Sequence, residues 1–228
     1  MRIDKFLSNL KYGSRKEIKQ LLRAHEVKIN LKRVIDPATS IDPNKELVFI
    51  DGEQVFYKES IDIMIYKPVG YLSANHDSMH SVITSLIQAP YDRFDFSIAG
   101  RLDLDAEGLL ILTTDGNFAH HIMHPKKHIE KTYEVMLDKP FVHHQALLNG
   151  IFVKDGYNDE YFAKAIAIKK NKEYVTIIID EGKFHQVKRM FQAVGYEVLR
   201  LKRTRIGNLE LKDLKPGEYK EFERKDLE

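Results

Sequence analysis

Four apolar residues in a row, Leu109-Leu110-Ile111-Leu112, with Gly108 before them and Asp115-Gly116 after, constrain the fold more than any other stretch of the chain. A short apolar run between turn signals reads as a buried strand. The chain must therefore build a sheet around it. A charged loop, Arg101-Leu102-Asp103-Leu104-Asp105, runs into this strand. A carboxylate at the mouth of a buried strand stands on a rigid base and faces whatever fills the cleft beyond. Chemistry is usually placed at such positions.

The length, 228 residues, suffices for one large domain or for a small one plus a medium one. There is no cysteine, which excludes disulfides and thiolate metal sites and suits a cytoplasmic protein. No apolar run approaches the roughly 20 residues that span a bilayer, and the opening Met1-Arg2-Ile3-Asp4-Lys5 has no signal-peptide core. No membrane partner is expected. Net charge is only +2, yet residues 1–33 hold ten Lys or Arg against three acids. A basic face on a near-neutral protein points to phosphate contact. A second basic stretch, 183–205, holds seven Lys or Arg against the single acid Glu197 and reads as another phosphate-contacting patch.

Ile3, Phe6, Leu7 and Leu10 fall at i, i+3, i+4 and i+7, which predicts a helix over 2–12 closed by Gly13. Ser14 and Glu17 have capping-box spacing and open a second helix that runs to about Ala24. Ile18, Leu21 and Leu22 form its buried face, and Lys16, Lys19 and Arg23 form a stripe on the other. Short strands follow at 27–30, 47–50 and 55–57. The boundary falls within 51–60, giving domains 1–57 and 58–228. In the second domain the pattern predicts strands at 61–66, 109–113, 131–137, 163–168 and 174–180, and helices at 117–124, 141–148 and 187–194. Strands dominate without regular βαβ alternation, so the expected class is α+β, a small α+β domain followed by a larger, mainly antiparallel sheet domain.

The stretch from Gly100 to Leu110 resembles the catalytic motif of the pseudouridine synthases, in the RsuA-like branch that acts on small-subunit ribosomal RNA. It departs from that motif at Ala106, where the family carries Thr or Ser. Three further blocks match in the family's order: Tyr66-Lys67-Pro68-Val69-Gly70, Glu130-Lys131-Thr132-Tyr133-Glu134-Val135, and Gly182-Lys183-Phe184-His185-Gln186-Val187-Lys188-Arg189-Met190-Phe191. The first two helices, with Arg2-Ile3-Asp4-Lys5-Phe6-Leu7 and Ser14-Arg15, resemble an S4 RNA-binding domain.

The resemblance implies an isomerase that needs no cofactor. It breaks the bond between ribose C1′ and uracil N1 and rejoins the ring through C5. Asp103 is implied to act on the sugar, as nucleophile or as base. Tyr133 is implied to stack on the uracil and handle the C5 proton. Lys188, with Arg189 as the alternative, would pair with Asp103 and stabilise its charge. Asp105 would fix the loop, and Arg101 would help extrude the target nucleotide from its stack. Lys67, Arg101, Arg189 and Arg203, with Arg15, Lys16, Lys19 and Arg23 of the second helix, are the expected RNA-contacting residues. The implied substrate is a uridine of small-subunit rRNA, free or in an assembling particle, at the position equivalent to uridine 516. Large-subunit rRNA is the alternative, and a cytoplasmic monomer is expected. Two rivals come from other classes. One is a non-catalytic S4-type RNA-binding ribosome-assembly factor. The other is a metal-dependent RNA hydrolase on Asp103, Asp105 and His120, His121, His124 and His128, which lacks a His-Glu-x-x-His arrangement and any Cys.

Overall fold

The computed structural model describes residues 1–142, 144–156 and 158–227. The chain separates into two units. Met1–Glu59 and Gln88–Phe94 form the first; Ser60–Ile87 and the chain from Asp95 onward form the second. The excursion of Gln88–Phe94 cannot be expressed by one linear boundary. Its physical basis is Phe94, which packs on the apolar core of the first unit.

In the first unit, α1 (Ile3–Asn9) and α2 (Arg15–Ala24) precede β1 (Val27–Ile29), β2 (Lys32–Arg33), β3 (Val48–Ile50) and β4 (Glu53–Gln54). The strands form one antiparallel sheet in the order β2-β1-β3-β4. Ser14 Oγ accepts from the Glu17 N–H, and Glu17 Oε2 accepts from the Ser14 N–H at 2.7 Å, so the capping box expected from the sequence closes the start of α2. Such a cap contributes about 1 kcal/mol. Ile3, Phe6 and Leu7 of α1 and Ile18 and Leu22 of α2 meet Val27 and Val48 in the core. The strand expected at 55–57 is absent, because the β3–β4 ladder ends at Gln54 and only the Val55 N–H continues it, to Val48 O.

The second unit contains β5 (Asp62–Lys67), β6 (Ser97–Ala99), β7 (Glu107–Thr113), α3 (Gly116–Met123), β8 (Lys131–Leu137), α4 (His144–Asn149), β9 (Ile151–Lys154), β10 (Glu160–Ala163), β11 (Ala167–Lys170), β12 (Val175–Ile179), α5 (Gln186–Ala193), β13 (Val198–Ile206), β14 (Leu209–Glu210) and β15 (Tyr219–Glu221). Its main sheet runs β11-β12-β8-β13-β7-β5-β15, with β14 on β13 and β6 on β7. Every pairing in it is antiparallel except β13 with β7. Every residue of β5 and β7 is buried, as the apolar run demands. The class is α+β.

Two further expectations are corrected, and one strand is added. The strand at 163–168 is two strands, β10 and β11. Ala165 between them is buried, with its N–H bonded to Leu147 O. The helix expected over 141–148 is α4, His144–Asn149, with His143 outside the described residues. The long central strand β13 was not expected at all. Arg200, Lys202, Arg203 and Arg205 mask its alternation, and the stretch reads as a solvated basic patch.

Candidate active site

The Asp103 loop leaves β6 and enters β7 beside the only parallel strand pair in the described sheet, β7 with β13. Register sets Arg203 of β13 opposite Gly108 of β7 and opposite Tyr133 of β8. The mouth of the buried strand, the tyrosine and an arginine are thereby brought together by three neighbouring strands.

The loop is held from below by a cation. Lys67, fully buried at the end of β5, donates from Nζ to Ala106 O at 2.6 Å, Pro68 O at 3.0 Å and Leu104 O at 3.5 Å. Burial draws its ammonium down to about 8, against the opposing pull of the Asp103 and Asp105 charges. The Gly70 N–H adds a bond to Leu104 O, and the Ala106 N–H closes a turn onto Asp103 O. Ala106 itself lies in the core. A Thr or Ser hydroxyl is therefore dispensable here, because backbone carbonyls and one ammonium fix the loop. Lys67 was expected to face RNA; the structure corrects this, since a residue with no exposed surface and its donors engaged inward cannot reach a phosphate.

Asp103 projects from this loop with its side chain 21 % exposed. Lys188 Nζ lies 3.0 Å from Asp103 Oδ2 and 2.6 Å from Asp105 Oδ1. Burial works against the Lys188 charge, but the bonds to Asp105 and Asp103 outweigh it and hold its proton above the ordinary lysine value. The bond from Lys188 in turn holds Asp105 below the usual carboxylate range. Of the two cations considered for Asp103, Lys188 is the one in contact. Arg189 donates to Lys154 O and lies against the Phe184 ring, one helical position round α5.

His185 is a contact the sequence did not announce. Its Nε2 lies 3.2 Å from Asp103 Oδ1. It occupies the left-handed region, φ 54°, at the start of α5, and its ring stacks on Phe184 at 3.8 Å. A non-glycine residue held there usually marks a site where the surroundings over-determine the backbone. Gln186, almost fully buried, supplies that constraint: its Oε1 accepts from the Lys183 N–H and its Nε2 donates to Glu181. The Gly-x-x-His-Gln block thus aims both His185 and Lys188 at the one carboxylate.

Tyr133 is 6 % exposed. Arg203, with 1 % exposed surface, donates to Leu109 O at 2.8 Å, to Gly100 O, and to the Tyr133 hydroxyl at 3.5 Å. Its assignment to an RNA-facing patch is corrected: its guanidinium is the floor joining loop, strand and tyrosine. The neighbouring cations are also engaged within the sheet. Arg200 pairs with Glu107, Lys202 lies over the Tyr66 ring, and Arg205 bonds Gly207 O and Asn208. Lys131, beside them, is buried and drawn down to about 8 by burial and by the Arg203 charge. Arg101 is different. It is exposed and makes no hydrogen bond or ion pair with the described residues. On the first unit, Arg15, Lys16, Lys19 and Arg23 are all exposed along α2. The histidines do not assemble. His120 and His124 meet edge to face, His128 pairs with Asp180, and no metal-holding group of three forms among the described residues.

A half-shielded carboxylate gripped by one ammonium and one imidazole can attack or deprotonate a sugar. Comparisons with known proteins identify what the chain is similar to. The RNA pseudouridylate synthase family matches residues 62–193, and the S4 domain matches residues 1–47. An RNA pseudouridine synthase of Bacillus subtilis (strain 168) is 44% identical over 100% of this chain and 97% of its own length. The ribosomal small subunit pseudouridine synthase A of Yersinia pestis is 36% identical over 96% of this chain and 94% of that protein. The ribosomal large subunit pseudouridine synthase B of Bacillus subtilis is 33% identical over 97% and 91%. A crystal structure of a pseudouridylate synthase superposes with a TM-score of 0.67 at 32% identity, covering 100% of this chain and 98% of the other.

Proposed function

This chain belongs to the RNA pseudouridylate synthase family and carries an S4 domain, and from that premise we propose that it isomerises one uridine of small-subunit rRNA, at the position equivalent to uridine 516, during ribosome assembly in the cytoplasm. The observation that carries the reading is the pair of contacts on Asp103, from Lys188 and from His185, at the mouth of the cleft. The C1′–N1 bond breaks, the freed uracil turns, C1′–C5 forms, N1 is protonated and the C5 proton is lost. Asp103 is the catalytic residue, whether it attacks C1′ or takes a sugar proton. Tyr133 stands against the uracil and Arg203 holds its hydroxyl. Arg101 enters the base stack as the uridine is extruded. His185 is a positioning residue: it holds Oδ1 while Lys188 holds Oδ2.

His185→Ala should lower the single-turnover rate about tenfold, the value of one well-placed hydrogen bond to a charged group, with substrate binding unchanged. His185→Gln should restore part of it. A rate equal to wild type in both variants would remove His185 from the account.

The α2 stripe supports RNA grip through phosphates, with the protein acting as a monomer. Each phosphate contact contributes roughly 0.9 to the slope of log affinity against log salt. Lys16→Ala and Lys19→Ala should each weaken rRNA binding and reduce the slope by about 1. Unchanged slopes would show that this face does not meet RNA. Small-subunit rRNA is favoured over large-subunit rRNA by the 36% match to the small-subunit enzyme. Mapping pseudouridine in rRNA treated with the pure protein tests this. One site in small-subunit rRNA is expected, and a site only in large-subunit rRNA would overturn the choice of substrate but not of reaction.

A further inference from the structure

We propose that a cleft beside the catalytic loop receives the base of a nucleotide adjacent to the target uridine. The proposal rests on the reading of the chain as a uridine isomerase and adds a second recognition site to it. The cleft has a volume of about 510 Å³, within the range of specific ligand pockets. Asn75, Phe96, Ser97, Arg101, His120 and Met123 are among the residues that line it.

Its lining has the mixed character that a nucleobase needs. Met123, 45 % exposed, and Ile98 offer apolar surface for a base face. Arg101 offers free donors, and its planar guanidinium can stack or bind phosphate. Asn75 is oriented by its bond from Nδ2 to Phe96 O at 2.8 Å, which leaves Oδ1 without a hydrogen-bond partner among the described residues. A shielded acceptor without a partner is rare in folded proteins. Turning the Asn75 amide toward the cleft would offer this acceptor to a base N–H in exchange for the bond to Phe96 O. His120 is exposed at the same wall. A phosphate alone would use the cation and leave the apolar wall and the acceptor unused.

The cleft is also tied to the catalytic loop. Ser73, 4 % exposed, lines the cleft and grips Leu102 twice: its Oγ donates to Leu102 O at 2.8 Å and accepts from the Leu102 N–H at 3.0 Å. Leu102 separates Arg101 in the cleft wall from Asp103 at the reacting sugar. Two residues of chain span at most about 7 Å, which exceeds the one stacked base step of about 3.4 Å between a target and its neighbour. Extruding the target leaves that neighbour with an uncovered face within reach of the cleft wall, and the cleft supplies a replacement surface.

The test uses a small-subunit rRNA fragment carrying the uridine equivalent to 516, intact or with an abasic site next to that uridine. Binding is measured with the Asp103→Asn protein, with and without Met123→Trp to fill the cleft, and tritium release is measured separately with the wild type. For Asp103→Asn alone, the abasic site should weaken binding about tenfold, the worth of one stacked base. With Met123→Trp added, the intact RNA should bind about tenfold more weakly, and the abasic site should cost nothing further. His120→Ala, at an exposed position, should give a smaller loss of the same kind and serves if the tryptophan variant does not fold. No abasic penalty, or the same penalty with the cleft filled, would overturn the proposal even where the wild type releases tritium. An absent tritium signal with the binding pattern intact would instead overturn the isomerase reading and leave the cleft as a base-binding site.

Discussion

Asp103→Asn is expected to reduce isomerisation by at least ~10⁴-fold while leaving the protein folded and bound to RNA. The change is isosteric, on a loop fixed by Lys67, Gly70 and Ala106 rather than by the Asp103 side chain. Lys188 is not left bare, because Asp105 holds it at 2.6 Å. The usual cost of stranding a buried charge is therefore avoided. What is lost is a carboxylate that carries both a cation and an imidazole. An amide can neither attack C1′ nor take a proton, and removing the residue that carries the covalent or proton-transfer step commonly costs that much. Single-turnover kinetics beside a thermal melt check both halves. A loss below tenfold would mean that another group does the chemistry; a collapsed melt would mean that Asp103 also holds the fold.

Gly108→Ala should have the largest effect on stability. Gly108 sits in β7 at φ +114°, and an added Cβ would lie 2.2 Å from Arg203 O and 2.6 Å from Arg203 N. Those are backbone atoms of the central strand β13, already paired with β8 on its other side. Neither strand can yield without breaking a ladder, and Arg203 would carry Gly100, Leu109 and Tyr133 with it. A clash of this kind adds to the left-handed strain and should cost roughly 3–5 kcal/mol, a large part of a typical 5–15 kcal/mol total. The melting temperature should fall by about 10 °C or more, and activity should fall with it. Gly195→Ala is the control. It has φ +84° but nothing within 4 Å of the new Cβ, so it should lose only about 1 kcal/mol of backbone strain. Equal losses in the two variants would show that conformation rather than the close approach of β13 matters at Gly108.

The contrast between β7 and β13 explains how much of this molecule could be read from its residues. β7 carries an uninterrupted apolar run, and α2 carries a complete capping box, so local pattern and tertiary environment agree. β13 is as central as β7 but is written in arginine and lysine. Its side chains find carbonyls, a carboxylate and a ring only after the sheet has formed. Basic residues read as solvent-facing by default, and Arg203 and Lys67, both expected to contact RNA, are instead internal braces. In the site, Asp103 and Lys188 are legible as motif residues and lie 3.0 Å apart, while Tyr133 sits opposite Arg203, which bonds Gly100 O of the same loop. The contact of His185 with Asp103 was not legible, since it depends on a left-handed backbone at a non-glycine residue, for which the sequence carries no signal. Nor was the excursion of Gln88–Phe94 into the first unit.

The most direct measurement of the central claim is tritium release from small-subunit rRNA transcribed with uridine tritiated at C5, comparing wild type with Asp103→Asn. The account predicts stoichiometric release by the wild type, at one site per RNA, and none by the variant. Release by both proteins, or by neither on small-subunit and large-subunit rRNA and on assembling particles, would contradict it.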